Sequence, residues 1–223
     1  MNTRQLKKEI FELLSAPDIQ ERLASFETLP ARQVVNPLFS FLYNTDPMIK
    51  WHAVSDMGYV VARLADKDIE SARVIMRRMI WNLNDESGGI GWGSPEAMGE
   101  TMACHNRLAG EYHRIQVSYI QPEGNFLEHP ELQKGLLWGL ARLASVQTER
   151  VKAAGPFLLP FLESKDPVHR GLAALAAGYL QDKIVLKALE HLLRDHAEIT
   201  LYWDRGFQQI LVGELARNAL KRY

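Results

Sequence analysis

The stretch that decides the fold is Phe41-Leu42-Tyr43-Asn44-Thr45-Asp46-Pro47, because it returns as Phe161-Leu162-Glu163-Ser164-Lys165-Asp166-Pro167. The correspondence continues at fixed offsets. Lys50 and Arg170 follow each Asp by four positions, Ala53 and Ala173 by seven, Gly58 and Gly178 by twelve, with Tyr59 and Tyr179 next. Every pair is separated by 120 residues, room for three units of about 40. Each element has a physical role. Phe-Leu closes one helix on its apolar side. The Asp carboxylate caps the next helix, and Pro suits a first turn where no backbone donor is needed. Ala and Gly permit close helix approach. Lys50 or Arg170 is placed to pair with an Asp of a neighbouring unit. Such a helix–turn–helix unit must stack on its neighbours to bury its apolar face.

Outward from these blocks the signals remain helical. Leu6, Ile10, Leu13 and Leu14 recur at helical spacing until Pro17. Asp18 and Glu21 form a capping-box pattern before Ile19, Leu23 and Phe26. Val34, Val35, Leu38, Phe41 and Leu42 mark a further helix, and His129-Pro130 opens another before Leu132, Leu136, Leu137 and Leu140. Asp195 to Leu215 reads as a worn terminal unit. Ile199 to Trp203 is the one β-like run, and it is expected to be too short and isolated to pair.

The Asp-Pro-x-x-Lys/Arg-x-x-Ala-x-x-x-x-Gly blocks resemble the HEAT-repeat family, including the short prokaryotic type called phycobilisome-lyase HEAT-like repeats. The resemblance implies an all-α fold, a right-handed α-solenoid of about five HEAT-like helix pairs with one irregular glycine-rich insertion. The expected organisation is a single α-solenoid domain over 1–223, with the insertion at about 84–95. The segment 80–143 also resembles an uncharacterised prokaryotic group of such proteins. The strings concerned are Gly91-Trp92-Gly93-Ser94-Pro95-Glu96-Ala97-Met98-Gly99-Glu100, Ser118-Tyr119-Ile120, Gly124-Asn125-Phe126-Leu127-Glu128 and Leu132-Gln133-Lys134-Gly135-Leu136-Leu137-Trp138-Gly139. Neither resemblance implies an activity, because this repeat serves scaffolds, enzymes and DNA binders alike.

Composition narrows the function classes. The net charge of the 223 residues is −1, from 26 Lys and Arg against 27 Asp and Glu, and this balance weighs against a nucleic-acid or membrane-surface binder. The longest apolar stretch, Gly171 to Leu180, is about half the roughly 20 residues that cross a bilayer. Met1 to Leu14 lacks the apolar core of a signal peptide, and one cysteine, Cys104, excludes an internal disulfide or a multi-thiolate metal site. The expectation is a cytoplasmic protein.

The charge is unevenly spread. Residues 1–80 carry +1, residues 81–131 carry −6, and residues 132–223 carry +4. The acidic segment holds Asn84-Asp85-Glu86-Ser87-Gly88-Gly89-Ile90-Gly91-Trp92-Gly93, where the repeat pattern breaks. Glycine at this density permits positive φ and close backbone approach, and Ser94-Pro95 opens a new helix. The glycines fit neither a dinucleotide fingerprint nor a phosphate loop. Asp85, Glu86, Glu96 and Glu100 would repel an anion, so a cationic or polar partner is the more compatible one.

The binding candidates are Glu86, Trp92, Glu96, Glu100, His105 and His113. Glu96, Glu100 and Cys104 share one stripe of a helix. A solvated face for Glu96 and Glu100, with Cys104 and His105 as packing, is the plainer reading. The adjacent Cys104 and His105 point about 100° apart on a helix, poor geometry for a nucleophilic pair. Trp92 among its glycines is either a plug over the solenoid edge or an interface anchor.

The leading expectation is a non-enzymatic interaction or scaffold module, without cofactor or bound metal, gripping a protein partner through its groove and the acidic Gly/Trp loop. One alternative is an enzyme, or a cofactor- or metal-binding protein, using the Glu/His cluster around 86–113. A third is a DNA-binding protein like the alkyl-base glycosylases built on similar repeats.

Overall fold

The computed structural model describes residues 3–84 and 91–223, arranged as two compact units, 1–108 and 109–223. The first unit is built from α1 (Thr3–Ser15), α2 (Ile19–Thr28), α3 (Ala31–Phe41), α4 (Pro47–Lys67), α5 (Ile69–Asn84) and α6 (Ser94–Cys104). The unit boundary falls within α7 (Asn106–Ser118). The second unit continues with α8 (Pro130–Val151), a 3-10 turn (Lys152–Leu158), α9 (Leu159–Leu162) and α10 (Pro167–Leu180). A second 3-10 turn (Lys183–Val185), α11 (Leu186–Leu192), β1 (Glu198–Trp203), β2 (Gly206–Leu211) and α12 (Val212–Leu220) complete it.

The two sequence blocks adopt the same local structure. Asp46 Oδ1 accepts from the Met48 N–H at 2.8 Å, and Asp166 Oδ1 accepts from the Val168 N–H at 2.8 Å, with Pro47 and Pro167 in the first turns of α4 and α10. The side chains of Asn44 and Ser164 accept from the backbone N–H of Asp46 and Asp166 and fix the turns before the caps. Lys50 of α4 reaches Glu96 of α6 at 2.8 Å, and Arg170 of α10 reaches Asp195 at 2.7 Å. Each basic side chain thus pairs with an acid on a later segment of its own compact unit, a Glu rather than an Asp for Lys50.

The repeated glycines let the next helix approach. A Cβ on Gly58 would lie 2.6 Å from Glu100 Cγ and 3.2 Å from the Glu100 backbone carbon in α6. A Cβ on Gly178 would lie 2.8 Å from Ala219 Cα in α12. Buried Ala53 and Ala173 sit on the same helices. The core of the first unit is lined by Ile10, Leu14, Phe26, Leu38, Met57 and Met76, and that of the second by Leu136, Leu140, Leu158, Ala173 and Leu189.

The run Ile199–Trp203 does pair, against expectation. β1 and β2 form an antiparallel hairpin in which Trp203 faces Gly206 and Ile199 faces Ile210. The two turn residues, Asp204 and Arg205, have φ of 49° and 67°, the mark of a type I′ turn that matches strand twist. Long-range contacts hold the hairpin. Trp138 of α8 donates its indole N–H to the Tyr202 carbonyl at 2.6 Å, and the Trp203 ring stacks on Tyr179 of α10 at 6.0 Å. The presumed worn helical unit at 195–215 is thus a hairpin followed by α12.

Candidate functional site

The segment that breaks the repeat pattern leads into α6. Gly91, Trp92 and Gly93 form its last turn, closed by a hydrogen bond from the Ser94 N–H to the Gly91 carbonyl at 3.0 Å. Both glycines are required by their surroundings. Gly93 has φ +75°, and a Cβ there would lie 2.5 Å from the Leu42 carbonyl oxygen. A Cβ on Gly91 would lie 2.7 Å from the Asn82 carbonyl oxygen. The turn is therefore wedged between the end of α3 and the end of α5, and Trp92 is held half-buried between them.

Trp92 borders a cleft of about 280 Å3 whose walls include Asn36, Phe39 and Tyr43 on the α3 side and Arg78 and Asn82 of α5. Arg78 is fixed across it: the guanidinium sits 3.9 Å above the Phe39 ring and donates to Asn36 Oδ1 at 2.6 Å. A second hollow of about 280 Å3, lined by Arg32, Val35, Leu64, Ser71 and Val74, shares Asn36 and Arg78 with the first. The two hollows lie in line along the groove between α3 and α5. Arg32 bridges Asp68 and the Ser71 hydroxyl at the far end. There the two Ser71 hydrogen bonds, from backbone N–H and hydroxyl, hold the Asp68 carboxyl below its usual range, burial opposing and Arg32 assisting.

The acidic residues of α6 are not a solvated face. Glu96 and Glu100 are 3% and 5% exposed. Glu96 lies in the first turn of α6, where the helix dipole favours a carboxylate, and is neutralised by Lys50. Glu100 is pressed against Gly58 and accepts from the Cys104 thiol at 3.4 Å. Their inward turn follows from the packing of α6, of which every residue from Ser94 to Met102 is buried. The acidity counted over 81–131 therefore overstates the charge that this helix shows to solvent.

The remaining candidates are placed apart. Cys104 is exposed rather than packed. His105 is a capping residue: Nδ1 accepts from the Leu108 N–H at 3.2 Å, and Nε2 lies 3.4 Å from Asp66 Oδ1. His113 belongs to the second unit, where Nδ1 lies 2.8 Å from the Ala109 carbonyl and must carry the proton. Glu86 lies outside the described residues. Among the described residues, no three His, Cys, Asp or Glu side chains gather as a metal site would require.

Sequence reasoning missed two features. One is the cleft wall, Asn36, Tyr43, Arg78 and Asn82, whose only advance signal was polar and aromatic residues beside apolar stripes of α3 and α5. The other is a buried ion pair. Arg22 Nε lies 3.0 Å from Asp56 Oδ2 with side chains 1% and 0% exposed, and Arg22 Nη1 donates to the Ala16 carbonyl at 2.9 Å. Its signal is present in the sequence: Arg22 stands at helical spacing between Ile19 and Phe26, and it is Arg22 and Phe26 that α2 buries.

Comparison with known structures places the fold in a class. The chain is similar in fold to an engineered protein from a structural genomics consortium, with TM-score 0.57, 16% identity, and 100% of this chain and 96% of that one covered. It is also similar to a designed armadillo repeat protein in complex with the peptide (KR)4, with TM-score 0.55 and 18% identity over 96% of this chain and 98% of that one. Computationally designed armadillo repeat proteins for modular peptide recognition give TM-score 0.54 and 17% identity, again over 96% and 98%. The fold is an all-α solenoid of the helical-repeat class. No protein-family model matches the sequence, and no curated protein matches it. Among the described residues, no helix is long and apolar enough to cross a membrane.

Proposed function

We propose that the protein is a non-enzymatic binding module that takes an extended segment of a protein partner into the groove between α3 and α5, with Trp92 as the anchor at one end. The observation that carries this reading is the pair of hollows strung along one groove, joined at Asn36 and Arg78. An extended peptide offers an N–H and a C=O at every residue, and side-chain amides such as Asn36 and Asn82 can answer both. Half-buried Trp92 and exposed Tyr43 offer flat apolar area at low entropic cost, as interface anchors do. The acidic helix α6 acts as the frame that holds the Gly91–Gly93 turn, rather than as the contact surface.

Two fold neighbours are described in terms of peptides, one in complex with (KR)4 and one made for modular peptide recognition. Their resemblance to this chain is one of fold, so it supports the class of ligand and not its sequence.

The reading is tested by selecting from a random peptide library on the immobilised protein. The expected result is a recurrent motif that binds the wild type and loses at least about tenfold with Trp92→Ala or Asn82→Ala, about 1.4 kcal/mol or more. Arg77→Ala, on the exposed side of α5, is expected to leave binding unchanged. Motif binding that survives both cleft substitutions would sink the assignment.

A further inference from the structure

The hairpin of the second unit ends in an open strand edge. Its register and two-residue turn determine which backbone groups face outward. Trp203 and Gly206 flank the turn and form a hydrogen-bonded pair, and pairs alternate from there along an antiparallel ladder. The Val212 N–H donates to the Ala197 carbonyl at 3.0 Å, which fits the same alternation one step beyond the strands. Phe207, Gln209 and Leu211 therefore turn their N–H groups away from β1, as Phe207 and Gln209 do their carbonyls. Phe207 and Gln209 are both solvent-exposed, and no backbone partner for either occurs among the described residues.

Proteins usually blunt such an edge with Lys, Pro, a bulge or a covering element. β2 reads Gly-Phe-Gln-Gln-Ile-Leu, with no charge and no proline. It pairs with β1 over its whole length without a bulge. This edge carries none of those devices.

We infer that the β2 edge is a self-association surface that pairs with β2 of a second copy of this chain, the two strands antiparallel about a two-fold axis at Gln209. The occupant follows from self-complementarity. With Gln209 opposite its own copy, the outward-turned groups of both strands meet as a hydrogen-bonded pair. Phe207 then falls across from Leu211 of the second copy, on the same face. Phe207 and Leu211 then meet as apolar side chains across the strands, while the Gln209 amide stays bonded to Thr200 of its own hairpin, and no like charges oppose one another. The product is a continuous four-stranded sheet, which is more stable than an isolated hairpin.

The test uses charge exchange on the full chain. Sedimentation equilibrium is expected to show wild-type monomer and dimer exchanging between about 10 µM and 1 mM, the range of a weak interface. Gln209→Lys and Gln209→Glu each place like charges across the axis, and each variant alone is expected to stay monomeric with unchanged circular dichroism. An equimolar mixture of the two is expected to dimerise again, which a misfolded variant could not do. In a Cys104→Ser background, Gln209→Cys is expected to cross-link on mild oxidation, since directly opposed residues have Cα atoms about 5.5 Å apart, within disulfide reach. Thr200→Cys, on the other strand, is expected not to. A wild type that remains monomeric to about 1 mM would overturn the inference. So would a dimer that Gln209→Lys leaves intact, or cross-linking equal at both positions.

Discussion

The guanidinium of Arg22 and the carboxylate of Asp56 meet 3.0 Å apart with almost no solvent contact, joining α2 to the middle of α4. Two charges so enclosed lose their hydration. Their mutual attraction and their remaining hydrogen bonds must offset that loss. The pair therefore fixes where α2 lies more firmly than it adds stability. Removing one partner is expected to be worse than removing both. Arg22→Met should cost about 3–5 kcal/mol, because it strands the Asp56 carboxylate in the core. Arg22→Met with Asp56→Leu should cost clearly less than either single change. Urea denaturation of the three variants measures this coupling.

The repeated glycines give a second expectation. At Gly58 the obstacle is first the Glu100 side chain, at 2.6 Å, and then its backbone. At Gly178 the obstacle is the Ala219 backbone itself, at 2.8 Å. A side chain can swing aside, and a backbone cannot without moving its helix. Both Gly→Ala changes should destabilise by about 1–3 kcal/mol as overpacked contacts, with Gly178→Ala the larger. Thermal unfolding of the pair orders them. Equal values would mean that Glu100 has no room to move.

These two expectations also mark what was legible in the sequence. The capped turns at Asp46 and Asp166 and the glycines at 58 and 178 are local or periodic signals, so they could be read directly. The buried charges could not. Glu96 and Glu100 look solvated because helical spacing gives a stripe without saying which way it faces, and α6 turns that stripe toward α4. The hairpin was hidden for a related reason. Its glycine lies after the two turn residues, so Asp204-Arg205-Gly206 lacks the familiar Asn-Gly pair, and β1 is held by Trp138 and Tyr179 from far along the chain. The Trp92 turn was located by its glycines, but its cleft partners Asn36 and Arg78 come from helices whose rotation no pattern fixed.

His52 makes stability depend on pH. It lies on α4 beside Arg22, with Nδ1 2.7 Å from the Leu14 carbonyl. Burial lowers its pKa below 6.5, and the nearby Arg22 charge adds to this, while the Leu14 carbonyl and Asp46 oppose it. A histidine with a lowered folded pKa takes up its proton more readily when unfolded. Its contribution is thus complete above the unfolded value of about 6.5 and declines as pH falls through that value toward the lower folded one. Asp166 and Asp195 act further down. Burial raises each, but bonds from Lys134 and from Arg170 outweigh it and hold both below 3.8, so their contribution is lost only in stronger acid. Urea midpoints at pH 7 and pH 5 should therefore differ in the wild type and differ less in His52→Gln, which retains a donor for Leu14. An unchanged difference would place the pH dependence elsewhere.

The hairpin should depend on one indole. Trp138 is 3% exposed, and its N–H meets the Tyr202 carbonyl at 2.6 Å, while its ring meets Trp203 edge-on at 6.0 Å. Trp138→Phe keeps an aromatic ring in the core and deletes the donor. A lost buried hydrogen bond, with some lost volume, should cost about 1–3 kcal/mol. The effect should also be local. Amides in β1 and β2 should exchange faster with solvent, while those in α3 to α6 of the first unit keep their protection, because local openings have their own free energies. Hydrogen exchange resolved by segment separates this from general loosening. The same variant also bears on self-association, since an edge strand must be held in place before a second copy can pair with it. Trp138→Phe should weaken dimerisation while every residue of β2 remains unchanged.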